Sequence, residues 1–122
     1  MNKVLIIDDD EFMLNVLAHQ LQDEGYILFT TADGPHGIEL YKSEKPDIVL
    51  LDIGLPSIDG LEVLKQIKQF DSDAKIIMIT GYPSSMMREE AMRMGAFAFY
   101  EKPGVIRMLK NVTKSALTSQ VS

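Results

Sequence analysis

Residues 46–60 read PDIVLLDIGLPSIDG, and the succession of residue types within them sets the fold. Ile48 to Leu51 is a bare apolar run, too brief for a helix and suited to a strand covered on both faces. The run stops at an acid, Asp52, and gives way to the irregular segment Gly54-Leu55-Pro56-Ser57. After Asp59-Gly60, the residues Leu61, Leu64 and Ile67 fall on one side of a helix that runs to about Phe70. Strand, acid, loop, helix is half of a parallel crossover unit, and the rest of the chain repeats it.

Upstream, Val4 to Ile7 is a second short, β-branched run that ends in acid, at Asp8 and Asp9. Met13, Val16, Leu17 and Leu21 then recur at helical spacing between Glu11 and Glu24, with Asp10 placed to cap and Gly25 placed to stop. Tyr26 to Thr31 reads as a strand, and Asp33-Gly34-Pro35 opens a helix that reaches about Glu44. Downstream, Ile76 to Ile79 is a buried strand ending at Thr80, Ser85 to Met94 a helix closed by Gly95, and Ala96 to Tyr100 a fifth strand. Glu101-Lys102-Pro103-Gly104 breaks the chain before a last helix, about Val105 to Leu117, with Val105, Met108, Leu109, Val112 and Ala116 as its inward stripe. Five strand-helix units with short loops call for a doubly wound α/β fold, a parallel sheet with right-handed crossovers and helices on both faces. No linker or low-complexity stretch divides the chain, so residues 1–122 are expected to form one domain, with 118–122 frayed or beginning a linker.

Composition narrows the function classes. With 46% apolar and 25% charged residues, the chain matches an ordinary globular protein, and no apolar run approaches the length of a membrane span. MNKVLIIDDD lacks the apolar stretch and cleavage site of a secretory signal, which makes the cytoplasm the expected compartment. Zero cysteines exclude thiol catalysis and thiolate metal sites. A formal charge of −6 without a cluster of lysine and arginine argues against nucleic-acid binding by phosphate neutralisation.

In an open parallel sheet the ligand site lies beyond the carboxyl ends of the strands. Those ends supply Asp8, Asp9, Asp52, Thr80 and Lys102. Three carboxylates within several ångströms of one another repel and raise one another's pKa unless a cation intervenes. Oxygen-only ligands, with no His or Cys nearby, favour Mg2+, which commonly bridges a carboxylate to a phosphate. Thr80 offers a hydroxyl and Lys102 a mobile positive charge to hold phosphoryl oxygens. Asp52 would then be the nucleophile, forming an aspartyl phosphate.

The segments VLIIDDD, PDIVLLDIGLPSIDG, IIMITGYPS and AFYEKP together resemble the four signature segments of bacterial response-regulator receiver domains, in order and over nearly the whole chain. The resemblance implies the flavodoxin-like strand order 2-1-3-4-5. It also implies a role for each residue. Asp8 and Asp9 are similar to the acidic metal pair, Asp52 to the phosphoacceptor, Thr80 to the switch hydroxyl, and Lys102 to the lysine before a cis-proline, here Pro103. Gly54 would supply a metal-ligating backbone carbonyl and no side chain, and Phe99 stands at the family's rotating aromatic, without a phenolic hydroxyl. Gly104 follows the Lys-Pro pair where an aromatic is common, implying a looser loop.

Neither His19 nor His36 joins the acidic cluster, so the phosphodonor implied by the resemblance is a separate histidine kinase or histidine phosphotransfer protein. Eight methionines are many, and Met86, Met87, Met92, Met94 and Met108 gather in the last two helices. Core filling accounts for most of them, and the rest would line the helix 4, strand 5, helix 5 face that the family uses to dimerise or dock an output domain. The expected function is a phosphoacceptor module that catalyses only its own phosphorylation and dephosphorylation, and not an enzyme on an external metabolite. The alternative is a degenerate receiver acting as a phosphorylation-independent interaction module, disfavoured because all five site residues are present. A haloacid-dehalogenase-like phosphatase would need an acid where Gly54 stands.

Overall fold

A computed structural model describes residues 2–55 and 58–118. Its elements run β1 (Lys3–Ile7), α1 (Glu11–Leu21), β2 (Ile27–Thr31), α2 (Gly34–Glu44), β3 (Ile48–Asp52), α3 (Gly60–Phe70), β4 (Ile76–Thr80), α4 (Ser85–Arg93), β5 (Ala98–Glu101) and α5 (Gly104–Thr118). All neighbouring strands pair in parallel, in the order β2-β1-β3-β4-β5. The chain therefore reverses direction of travel between β1 and β3, the place where such sheets open a crevice.

The three central strands β1, β3 and β4 are apolar on both faces, as their uninterrupted runs require. One face packs Leu5, Val49, Leu51, Ile76 and Met78 against α2, α3 and α4, and the other packs Val4, Ile6, Leu50, Ile77 and Ile79 against α1 and α5. Four helices start on side chains that accept a backbone N–H: Asp10 from Met13, Asp33 from His36, Asp59 from Glu62 and Ser84 from Met87.

The boundaries differ from the sequence expectation where local hydrogen bonds compete. After Leu21 the first helix tightens into a 3-10 turn over Gln22–Glu24, stopped by Gly25 in the left-handed region at φ 81°. Strand five begins at Ala98 instead of Ala96, because the Ala96 N–H is spent on the Ala91 carbonyl at the end of α4. In α5 the buried stripe is Val105, Leu109, Thr113 and Ala116, while Met108 is exposed, since the helix turns it onto the flank. Among the seven methionines of the described residues, Met13, Met78, Met87 and Met94 pack on the core whereas Met86, Met92 and Met108 are exposed, so core filling accounts for four of them. Gly104 opens α5 and does not lie in a loose loop, and Thr118 closes it with its hydroxyl on the Lys114 and Ser115 carbonyls. The rest of the expected tail, 119–122, lies outside the described residues, as do Pro56 and Ser57.

Candidate functional site

Four of the five strands, β1, β3, β4 and β5, bring polar groups to the site at the sheet's carboxyl edge. Asp8 follows β1, where its N–H donates to the Thr31 carbonyl at 3.1 Å and its Oδ1 accepts the Asp10 N–H at 3.0 Å. Asp9, next along, projects into solvent at the mouth. Asp52 is the last residue of β3 and Thr80 the last of β4, and both are buried. The Lys102 N–H donates to the Thr80 carbonyl at 2.8 Å, which extends the β4–β5 pairing past β5 and aims the lysine stem across the edge. The Lys102–Pro103 peptide is cis.

The backbone of Asp52 is held from behind by Gly60. Its N–H donates to the Ile53 carbonyl at 2.7 Å, and an added Cβ would meet the Asp52 carbonyl oxygen at 2.4 Å and Ile53 Cα at 2.5 Å. Only glycine permits α3 to start this close to the end of β3.

Asp8, Asp9 and Asp52 each offer one carboxylate oxygen, and these oxygens lie within 4.8 Å of one another. Lys102 Nζ enters the cluster 2.6 Å from Asp8 Oδ2 and 3.7 Å from Asp52 Oδ1. One ammonium among three carboxylates leaves an excess of negative charge. Burial above all, and then the Asp8 charge and a hydrogen bond shared with Asp9, push the Asp52 carboxyl up to about 6 from 3.8, against the lowering pull of Lys102 and the Gly54 N–H. An all-oxygen, net-negative cluster that resists full ionisation is the donor set a hard divalent cation fits. Thr80 Oγ1 accepts the Tyr82 N–H at 3.1 Å, which leaves its own proton available to donate.

Asp9, Asp52, Thr80 and Lys102 border an open cleft of about 600 Å³, whose remaining walls include Asp10, Met13, Gly54, Tyr82 and Pro103, and buried Asp8 meets it through Lys102 Nζ. Of the residues singled out from the sequence, Asp8, Asp9, Asp52, Thr80, Lys102, Gly54 and Pro103 converge here. Phe99 does not: it lies buried beneath α4. His19 and His36 lie outside the cleft, His36 Nδ1 being 3.0 Å from Thr31 Oγ1. Sequence reasoning missed the walls formed by Met13 and Tyr82. Tyr82 could have been found from its place just past the strand-end Thr80, but Met13 was read only as a helix-core position.

Residues 4–114 match the family model described as response regulator receiver domain. The chain is 33% identical to sporulation initiation phosphotransferase F of Bacillus subtilis over 118 residues, covering 96% of this chain and 95% of that protein. A CheY-like response regulator receiver domain protein from Methanospirillum hungatei superposes with a TM-score of 0.91 at 32% identity, over 96% of this chain and 94% of that one. A crystal structure of the CheX-CheY-BeF3-Mg2+ complex from Borrelia burgdorferi gives a TM-score of 0.89 at 32% identity, over 97% of this chain and 90% of the matched one.

Proposed function

The chain belongs to the response regulator receiver domain family, and from that premise we propose that Asp52 is its phosphoacceptor. Receiver domains are signalling modules that bind Mg2+ at an acidic pocket and interact with histidine kinases and phosphotransfer proteins. The observation that carries the residue-level reading is the meeting of three carboxylates within 4.8 Å with a lysine at 2.6 Å and a buried threonine hydroxyl.

In this reading, an oxygen of Asp52 attacks the phosphorus of a partner phosphohistidine. A P–O bond forms as the P–N bond breaks, and the leaving imidazole takes up a proton. Lys102 turns from Asp8 toward the incoming phosphoryl oxygens, and Thr80 donates its hydroxyl proton to one of them. Asp8, Asp9, Asp52 and the Gly54 carbonyl would hold Mg2+, which supplies charge neutralisation while bound. Later attack by water on phosphorus regenerates the Asp52 carboxylate and phosphate, so the module catalyses only its own loading and unloading.

Phosphorylation would then be read out on the α4–β5–α5 face, where Met86, Met92 and Met108 are exposed and available to a second copy or an output domain. We take residues 1–122 as a single receiver unit and the cytoplasm as its compartment, since phosphohistidine donors and free Mg2+ are found there. Among the described residues, no helix is long and apolar enough to cross a membrane. A phosphorylation-independent interaction module is the competing reading, and no feature of the intact site favours it.

The test is incubation with acetyl phosphate, with and without Mg2+, followed by intact-mass measurement of native chain and Asp52→Ala. A Mg2+-dependent gain of one phosphoryl mass, absent in Asp52→Ala, is expected. No gain in the native chain would overturn the reading.

A further inference from the structure

Among the described residues, β2 is the one strand that places no residue in the cleft, either at its end or just past it, yet it ends on a buried polar residue, Thr31. Both oxygens of Thr31 are engaged. Its carbonyl accepts the Asp8 N–H at 3.1 Å, one rung past the last register pair of β1 and β2, Ile7 with Thr31. Its Oγ1 accepts the Asp33 N–H at 3.2 Å and lies 3.0 Å from His36 Nδ1. Asp33 caps α2, and the His36 N–H donates to Asp33 Oδ2 at 2.8 Å. In a capping box the side chain at the position of His36 takes the N–H of the cap residue itself. Here Thr31 takes that N–H and His36 holds Thr31, so the start of α2 is locked onto the end of β2. Every group is used when Oγ1 donates to Nδ1 of a ring that carries its proton on Nε2.

Thr31 lies on an edge strand whose one partner is β1, and the last rung of an edge ladder frays unless something holds it. The rung at stake belongs to Asp8. Asp8 Oδ1 accepts the Asp10 N–H, and Oδ2 accepts the Lys102 ammonium. Once Lys102 turns to a phosphoryl group, as proposed above, the bonds to Asp10 and Thr31 remain to fix Asp8. α2 presses on the same point from the sheet face: a Cβ at Gly37 would meet Ile7 Cδ1 at 2.4 Å, so the first turn lies hard against the residue before Asp8. The His36 side chain is exposed, so burial does not force its bond to Thr31.

We propose that Thr31 and His36 are positioning residues for Asp8, a role that rests on reading Asp8 as a metal ligand: their hydroxyl–imidazole link pins the end of β2, so that the Thr31 carbonyl holds the Asp8 backbone with its carboxylate facing those of Asp9 and Asp52. Partners that stand behind a metal ligand set its orientation and, through it, the affinity for the ion. β2 thus serves the cleft without entering it.

The test uses the full chain at pH 7.5. Asp8 amide hydrogen exchange is read in chelator, and the Mg2+ dissociation constant from amide shifts around the cleft. The variants are Thr31→Val, Thr31→Ser, His36→Ala, His36→Asn, and Thr31→Val paired with His36→Ala. Thr31→Val and His36→Ala should each speed Asp8 exchange roughly fivefold, the worth of one hydrogen bond. Exchange along β4, which a general loss of stability would also speed, should stay as in the native chain. Mg2+ binding should weaken by about three- to tenfold, at or below the low end for an outer partner of a metal ligand. Thr31→Ser keeps the hydroxyl and His36→Asn brings a carbonyl oxygen near the Nδ1 position, so both should stay within about twofold of native. The paired variant should match the worse of the two single ones, because both break the same link. Native Asp8 exchange in Thr31→Val, or single effects that add in the pair, overturns the tether. Faster Asp8 exchange with native Mg2+ affinity overturns the positioning role and leaves an ordinary helix cap. A native chain whose cleft amides do not shift with Mg2+ overturns the reading of Asp8 as a metal ligand and the positioning role with it, while Asp8 exchange in chelator still tests the tether.

Discussion

The ammonium of Lys102 sits 2.6 Å from a carboxylate oxygen of Asp8, and both side chains are largely buried. A buried charge pair broken on one side leaves the other charge uncompensated. Lys102→Met is therefore expected to destabilise the metal-free chain by roughly 3 kcal/mol. Urea unfolding in chelator measures this, and added Mg2+ should recover part of the loss by giving Asp8 another cation.

Asp52 makes the opposite prediction. Folding lifts its carboxyl from 3.8 to about 6, so between those values the folded chain binds the proton more tightly than the unfolded chain. Stability must fall as pH rises through that window, and above it the ionised carboxylate works against the fold. With solvent at the cleft mouth screening part of the effect, Asp52→Asn should gain about 1 kcal/mol in chelator at pH 7.5, or roughly 3–6 °C in Tm. Near pH 4 the two melting curves should converge. A native chain that melts higher than Asp52→Asn at neutral pH would contradict this account.

Two glycines that follow Asp52, Gly60 and Gly54, should respond in contrasting ways. A methyl group at Gly60 meets backbone atoms of Asp52 and Ile53, which cannot step aside as a side chain can. Gly60→Ala is expected to lower stability by about 3 kcal/mol, at the upper end for overpacking, and to slow phosphorylation by acetyl phosphate by displacing Asp52. Nothing lies within 4 Å of the same methyl at Gly54, so Gly54→Ala should stay within about 0.5 kcal/mol of native. Thermal melts of both variants provide the comparison.

Thr113 is fully buried in α5, and its hydroxyl has no hydrogen-bond partner among the described residues. Thr113→Val keeps the shape and removes the desolvated hydroxyl, and should stabilise the chain by about 1 kcal/mol. Denaturant unfolding should show a higher midpoint with an unchanged slope.

Much of this was legible in the sequence because the sheet is parallel and central. Uninterrupted runs such as Ile48 to Leu51 belong to strands buried on both faces, and a polar residue that ends such a run must stand at the carboxyl edge. That is why Asp8, Asp52 and Thr80 could be named before their distances were known. Spacing could not tell which partner Lys102 prefers, since a long side chain reaches Asp8 and Asp52 from one stem. Nor could it foresee that the Ala96 N–H would close α4, because strand and cap compete for the same donor. Thr31 and His36 gave no signal at all: they read as an ordinary strand end and a surface residue until the bond between them is seen.

Lys102 and Asp8, the closest pair in the cleft, are separated by 94 positions along the chain. A ribosome releasing this chain from its N-terminus exposes Asp8, Asp9 and Asp52 long before the lysine that completes them. Since β5 can pair only after β4 is in place, a nascent or C-terminally clipped chain carries the acids without their counter-charge. Under the role proposed for Lys102, such a chain also lacks the ammonium that would hold the phosphoryl group until β5 has docked.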